Sequence, residues 1–335
     1  MKAGKLELEQ IQGLFGAGLG ALREDVVAGP AVGVDCAVVS VGDDNCAVLK
    51  SDPITFATER IGWYAVHVNA NDIATSGGDP CWFLSTVLLP LTASEDEARG
   101  VFAQIHEAAK SIGVAVVGGH TEVTPAVSQV TVAGTMVGFV KRKDLVLPQA
   151  IAPGDVLIIT KGAAIEATSI IANEKAKEIS EELGREVQEK AAAFLDVPGI
   201  SALPEARIVR EKGVHGMHDA TEGGVRAAVY EMAQACGCGV LLDERAVPVH
   251  PITAKVCAVF SLDPLACIAS GALLAALPKD RVDETLAALE AAGIKGAPIG
   301  EFLAKGAASE RINLEGVREP LVYDPCDEIT KLFDE

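Results

Sequence analysis

Apolar and polar positions change period repeatedly along this chain. "VDCAVVSVG" (34–42) and "PITFATE" (53–59) are β-branched runs that predict strands, and "CWFLSTVLLP" (81–90) predicts a third. Between the second and third, "IGWYAVHVNANDIATSGGDP" (61–80) places Ile61, Ala65, Val68 and Ile73 at steps of three to five, the spacing of one buried helical face. "SEDEARGVFAQIHEAAKSIG" predicts an amphipathic helix with a Ser available as its cap and an acidic first turn. "VAVVGGHTEV" and the alternating "SQVTVAGTMVGFV" follow as strands.

The stretch "KRKDLVLPQAIAPGD" (141–155) reads as a boundary, so two domains are expected, 1–150 and 151–335. Beyond it lie a strand at "VLIITKG", a long helical region from about Ala163 to Phe194, and a helix at "ALPEARIVREKG". A strand and loop at "VHGMHDATEGG", a helix at "VRAAVYEMAQACG", a strand at "CIASGALLAALP" and a helix at "RVDETLAALEAAG" complete the larger elements. The fold class is therefore mixed α/β (α+β) with antiparallel hairpins, not a simple doubly wound parallel sheet.

Composition narrows the function. Apolar residues make up 49% of 335, ample for sizeable cores, and 47 acidic against 28 basic residues give a net charge of −19. That balance, without a dense Lys/Arg run, speaks against nucleic-acid and anionic-membrane partners. No apolar run reaches the ~18 residues of a membrane span, and "MKAGKLELEQ" has no signal-like apolar core, so a cytoplasmic protein is expected. The eight cysteines sit mostly in apolar or small-residue contexts and read as reduced core thiols. "CGCG" (236–239) has no second Cys or His pair at zinc spacing.

Four loop-like segments join glycine to carboxylates or amides: "VGDDNCAVL", "NANDIATSGG", "VVGGHTEV" and "MHDATEGGV". Glycine admits backbone N–H groups to phosphate oxygens, whereas a carboxylate needs a cation between, so the combination suggests a Mg2+-bridged phosphate. Taken alone, "GDDN" is also a good hairpin turn and "DATEGG" a helix cap. Asn69, Asn71 and Asp72 are harder to place, because the apolar neighbours leave little room for a wet helical face. Neither G-x-x-x-x-G-K-[ST] nor a strand-to-helix G-x-G-x-x-G occurs, and "GLFGAGLG" follows no strand.

In order and spacing these segments, with "ITFATE", resemble the superfamily of aminoimidazole ribotide synthetase, which includes thiamine-monophosphate kinase, selenophosphate synthetase and the hydrogenase-maturation carbamoyl dehydratase. The resemblance spans about residues 40–240 and is nearest to the dehydratase branch in the placement of "ITKGAAIEATSIIA". It implies a two-domain synthetase-like fold, the N-terminal sheet forming a homodimer interface and the C-terminal α/β domain completing an ATP cleft. By the same resemblance Asp43, Asp44 and Asp72 are expected to hold Mg2+, and Asn71, Gly118, Gly119, His120, Asp219, Thr221 and Lys161 to contact ATP. Asp72, Lys161 and His120 are the expected catalytic residues.

Departures leave the activity open. Thr58-Glu59 stands where the family has Thr-Asp, and the chain ends "DPCDEITKLFDE" with Cys326 nine residues short of the end, where the dehydratase carries a terminal Cys. No Cys precedes Cys36, which speaks against selenophosphate synthetase; Gly4-Lys5 resembles a mobile-lysine tail. The resemblance implies ATP-driven activation of, or phosphoryl transfer to, an unidentified acceptor that is a small molecule or is borne on a protein, with a maturation protein as a further partner. A nucleotide-binding maturation or regulatory factor without turnover, and a thiamine-monophosphate kinase, stand as alternatives.

Overall fold

The computed structural model describes residues 6, 8–16, 18–57, 59–324 and 326–333; Gly4, Lys5 and Thr58 lie outside them. A short helix α1 (Leu8–Gly16) opens the described chain. The chain divides into two compact units: Asp25–Ala28 with Asp35–Leu145, and Gly29–Val34 with Val146–Glu335 and the described residues of Met1–Glu24.

The first unit contains β1 (Val26–Ala28), β2 (Ala37–Gly42), β3 (Asn45–Ile54), α2 (Ile61–Thr75), β4 (Asp79–Leu89), α3 (Glu95–Ser111), β5 (Ala115–Val123) and β6 (Thr131–Lys141). The strands form one sheet in the order β1-β2-β3-β6-β4-β5, antiparallel except for β4 with β5. Asp43 and Asp44 both take left-handed φ, 48° and 56°, as a tight turn between β2 and β3 requires. "PITFATE" is not a separate strand: β3 begins at Asn45 and ends at Ile54. Pro53 is tolerated there because β3 pairs with β2 only as far as Leu49, leaving one side of the strand without a ladder to feed.

Fourteen of the fifteen residues of α2 are buried, so the helix is not amphipathic in the ordinary sense. Two glycines of β6 make its seat. A Cβ on Gly134 would lie 2.5 Å from Asn69 Nδ2, and one on Gly138 would lie 2.3 Å from Ile73 Cγ2. Helix α3 follows the expected rules: Ser94 accepts from the Glu97 N–H at 3.1 Å, and Glu95, Asp96 and Glu97 occupy the positive first turn.

The second unit contains β7 (Val156–Thr160), α4 (Ile165–Glu174), α5 (Ala176–Leu183), α6 (Arg185–Ala192), α7 (Leu203–Arg210), β8 (Gly216–Asp219), α8 (Gly224–Cys236) and β9 (Cys238–Asp243). It continues with α9 (Pro251–Val259), β10 (Leu273–Leu277), α10 (Val282–Ala291), β11 (Gly296–Lys305), β12 (Glu310–Ile312) and β13 (Arg318–Pro320). The sheet order is β13-β12-β9-β11-β7-β10-β8, antiparallel except for β12 with β9. The single long helical region expected from Ala163 is broken at Lys175 (φ −117°) and at Gly184 (φ 88°) into three helices. Val225, Val229 and Met232 share a face of α8 and join Leu157, Ile159, Val240, Leu274 and Phe302 in one apolar core.

The mixed α/β class is as the sequence implies, and among the described residues no helix is long and apolar enough to cross a membrane. The seat of α2 is testable: Gly138→Ala should cost about 1–3 kcal/mol of unfolding free energy through overpacking against Ile73. Urea unfolding reads the loss, and an unchanged midpoint would show that β6 does not carry α2 at this spacing.

Candidate functional site

The first unit buries an ionic cluster under α2. Alternation on β3 sends Cys46, Val48, Lys50, Asp52 and Ile54 to the face that α2 covers. Asn69 treats Asp52 as a neighbouring strand would: its Oδ1 accepts the Asp52 N–H at 3.0 Å and its Nδ2 donates to the Asp52 carbonyl at 3.2 Å. One turn on, Asp72, only 1% exposed, lies 3.3 Å from Lys50 Nζ, which is also 3.5 Å from Asp52 Oδ2. Thr75 Oγ1 lies within donating distance of Asp35 Oδ2 (3.0 Å) and of the Asp72 carbonyl (2.8 Å).

Burial alone would lower the pKa of Lys50. The Asp72, Asp52 and Asp35 carboxylates outweigh it and hold the ammonium well above its ordinary range. Burial, reinforced by Asp72, pushes the Cys36 thiol up, so Cys36 is an inert neutral thiol. All eight cysteines are free, and Cys236 and Cys238 are buried core thiols, with Cys236 pushed up to about 11 by burial.

The expected metal triad is not assembled. Asp43 and Asp44 form the tip of the β2–β3 hairpin, whereas Asp72 faces Lys50, six residues along β3 from Asp44 and thus roughly 20 Å away at strand rise. The hairpin tip lines a cleft with Lys141, Arg142 and Lys143, three cations that would repel a divalent ion. The residues therefore do not fit one Mg2+ held by Asp43, Asp44 and Asp72.

Gly118, Gly119 and His120 lie on the exposed edge strand β5. Gly119 has φ 146°, and a Cβ there would lie 2.0 Å from the Ser85 carbonyl oxygen. The exposed His120 ring pairs with Glu122 at 3.2 Å. Asn71 is fully buried in α2, beside Asp72.

In the second unit Lys161, expected to contact phosphate and to act in catalysis, is held by neighbouring groups of the chain. Its Nζ donates to the carbonyls of Gly199 (3.1 Å) and Ser201 (2.7 Å) and pairs with the wholly buried Glu205 at 2.7 Å. Two of its three N–H groups are thus taken by carbonyls, and Glu205 compensates its charge. Asp219 ends β8 as a buried carboxylate, and Thr221 lies in the loop to α8. The first turn of α8 is already satisfied in part, because Asp327 accepts the Gly223 N–H at 2.8 Å.

Around this loop Glu166, Ser270 and Asp327 are all buried. Burial raises Glu166 to about 8 and Asp327 to about 7, with Glu222 adding repulsion in both cases. His218 contacts Glu231 at 3.0 Å, and Glu231 accepts from the Tyr323 hydroxyl at 2.9 Å. Sequence reading passes over Asp35, Lys50, Asp52, Glu166 and Asp327. The signal present for two of them is Lys50 and Asp52 at alternate positions of one strand.

Family models for the AIR synthase related protein match this chain twice, the N-terminal domain over residues 33–140 and the C-terminal domain over residues 152–313. The chain belongs to the AIR synthase-related family. Within that family it is 31% identical over 260 residues to the carbamoyl dehydratase HypE of Escherichia coli (strain K12), covering 75% of this chain and 73% of that one. The crystal structure of E. coli HypE superposes with a TM-score of 0.71 at 25% identity, covering 96% of this chain and 99% of that one. A structure of hydrogenase maturation protein HypE in complex with ATP (TM-score 0.67, 23% identity, 92% and 89% covered) has the same fold. So does a HypE–HypF complex (0.73, 18%, 94% and 99%).

Glu166 gives this AIR synthase-related chain a pH dependence of defined sign. Its carboxyl is raised from an ordinary 4.5 to about 8, so the unfolded state releases the proton first and stability falls as pH rises between these values. Glu166→Gln should therefore stabilise the protein increasingly over that window, by roughly 4 kcal/mol at its upper end. Denaturation at a series of pH values measures it, and a constant difference would mean that Glu166 is ionised in the fold.

Proposed function

We propose that this chain is an ATP-using maturation enzyme of the carbamoyl dehydratase kind, which activates an acceptor borne on a small molecule or on a partner protein. The observation that carries the reading is the 31% identity to a carbamoyl dehydratase across most of both chains. The ATP complex of a HypE and the HypE–HypF complex support nucleotide binding and a maturation-protein partner.

ATP when bound would supply the phosphoryl group that turns an acceptor oxygen into a leaving group. For its phosphates, edge strand β5 offers the glycine backbone at Gly118 and Gly119 and the exposed His120 ring. Gly118 allows close approach: a Cβ there would have Leu84 Cδ2, at 3.9 Å, as its nearest neighbour. In the second unit Asp219 presents two buried oxygens without a hydrogen bond, acceptors for a ligand donor, and Thr221 supplies a hydroxyl. Asn71 is retained as a contact beside Asp72. No step is assigned to Mg2+, since Asp43, Asp44 and Asp72 do not meet around one ion.

We also assign a homodimer to the β5 edge, where Val116, Val117, Val123 and Trp82 expose 43%, 55%, 60% and 46% of their surface on or beside an unpaired strand. Cytoplasmic residence accords with eight unpaired thiols. A second reading, a nucleotide-binding factor without turnover, is favoured by one observation: Asp72 is already ion-paired with Lys50.

Calorimetric titration with ATP, followed by phosphate release with and without candidate acceptors, separates the two. Binding at one site per chain, weakened about tenfold or more in Thr221→Ala, with acceptor-dependent release, is the expected result. Binding without release selects the second reading, and no binding overturns both. Sedimentation should show a dimer that Val117→Glu converts to monomer; a wild-type monomer would remove the β5 assignment.

A further inference from the structure

The disagreement over the metal leads beyond the nucleotide reading and does not rest on it. Asp52 and Asp72 converge on one lysine: Lys50 Nζ stands 3.3 Å from Asp72 Oδ2 and 3.5 Å from Asp52 Oδ2, and Asp35, held by Thr75, adds its field from further away. Asp72 is buried, and Lys50 has only 20% of its side chain exposed. The resemblance implies a divalent ion at Asp72. We infer that the Lys50 ammonium is the resident cation of the Asp52–Asp72 pair, built into the chain in place of a divalent metal.

Three features carry this. First, the lysine is held by the backbone register: position 50 on β3 pairs with Met136 of β6, and Asp52 pairs with Gly134, so Nζ and the Asp52 carboxylate share one face of one strand. Second, Asn69 ties Asp52 to α2 through both backbone groups, which sets Asp72 a turn further along over Lys50. Third, an ion bridging Asp52 and Asp72 would have to sit within a few ångströms of an ammonium that contacts both, and its charge would be opposed in a buried setting where repulsion is strong. Asp35 is anchored separately by the Thr75 hydroxyl. The cluster is therefore a cation site whose cation is covalently part of the protein, and its occupancy does not vary with metal supply.

The test uses the full chain without nucleotide, with MgCl2 and MnCl2 as probes and KCl at matched ionic strength as control. Wild-type protein should show no saturable change in melting temperature with either divalent salt. Lys50→Met should melt roughly 10 °C lower, because the buried Asp72 loses the ammonium that faces it, and should regain stability saturably with Mn2+ or Mg2+ as the ion takes the vacated position. A saturable divalent shift in wild type that Asp72→Asn abolishes would overturn the inference, as would a Lys50→Met protein indifferent to both ions. Should Lys50→Met accumulate only unfolded, the double variant Lys50→Met/Asp72→Asn decides. Recovery of folded protein supports charge compensation by Lys50, and equal failure of the double variant refutes it.

Discussion

A carboxylate in the middle of a buried helix is costly unless an opposite charge accompanies it, and Asp72 has the Lys50 ammonium at 3.3 Å. The requirement reaches outward from that residue. Lys50 must be on β3 to meet it, Asn69 must hold β3 to α2 at the right height, and β6 must present glycine at 134 so that the Asn69 amide has room. Helix, strand and neighbouring strand are thus positioned by one ion pair and one amide. The apolar contacts of Ile73 with Gly138, and of Gly78 with Val48, fill the space that remains. A polar arrangement of this kind specifies register more sharply than oil-like packing does, because a shift by one residue along β3 would turn Lys50 away and strand Asp72.

The second unit handles buried acids in the opposite way. Glu205 is paired with Lys161, but Glu166 and Asp327 have no comparable cation, and burial together with Glu222 moves their proton equilibria upward instead. One group of carboxylates gathers on a lysine, and the other lies without a cation and binds protons more readily. The second unit therefore carries a pH dependence on the neutral side, through Glu166 and Asp327.

Much of this was legible from residue order. Alternation in "SQVTVAGTMVGFV", the capped acidic start of α3, and the "GDDN" hairpin all report local geometry, and local geometry is what period and turn chemistry encode. The polar residues of α2 stood out because nothing in a buried helix accounts for Asn69 and Asp72. Their partners did not stand out. Lys50 and Asp52 lie on a strand some twenty residues earlier, and their significance arises only once β3 and α2 are stacked. The same blindness to tertiary pairing made Asp43 and Asp44 attractive as ligands, since adjacent carboxylates look like chemistry until the backbone shows them at a hairpin tip beside three cations. The partners of Lys161 were equally hidden: a lysine after a strand reads as a phosphate contact, and only the fold shows Glu205 and two carbonyls around it.

Under the proposed function, edge strand β5 would serve both assembly and nucleotide contact. A strand exposed along its whole length and bearing three exposed valines is a liability in an isolated chain, yet it also carries Gly119, whose close approach to Ser85 permits no side chain. Gly119 lets the strand lie tight against β4, so the edge presents backbone there beside its exposed valines. Covering such an edge with a second copy would satisfy its N–H and carbonyl groups and bury its valines at once, and would bring His120 into the interface region. Assembly and nucleotide contact would then be two uses of the same nine residues, and a substitution that loosens one would be felt in the other.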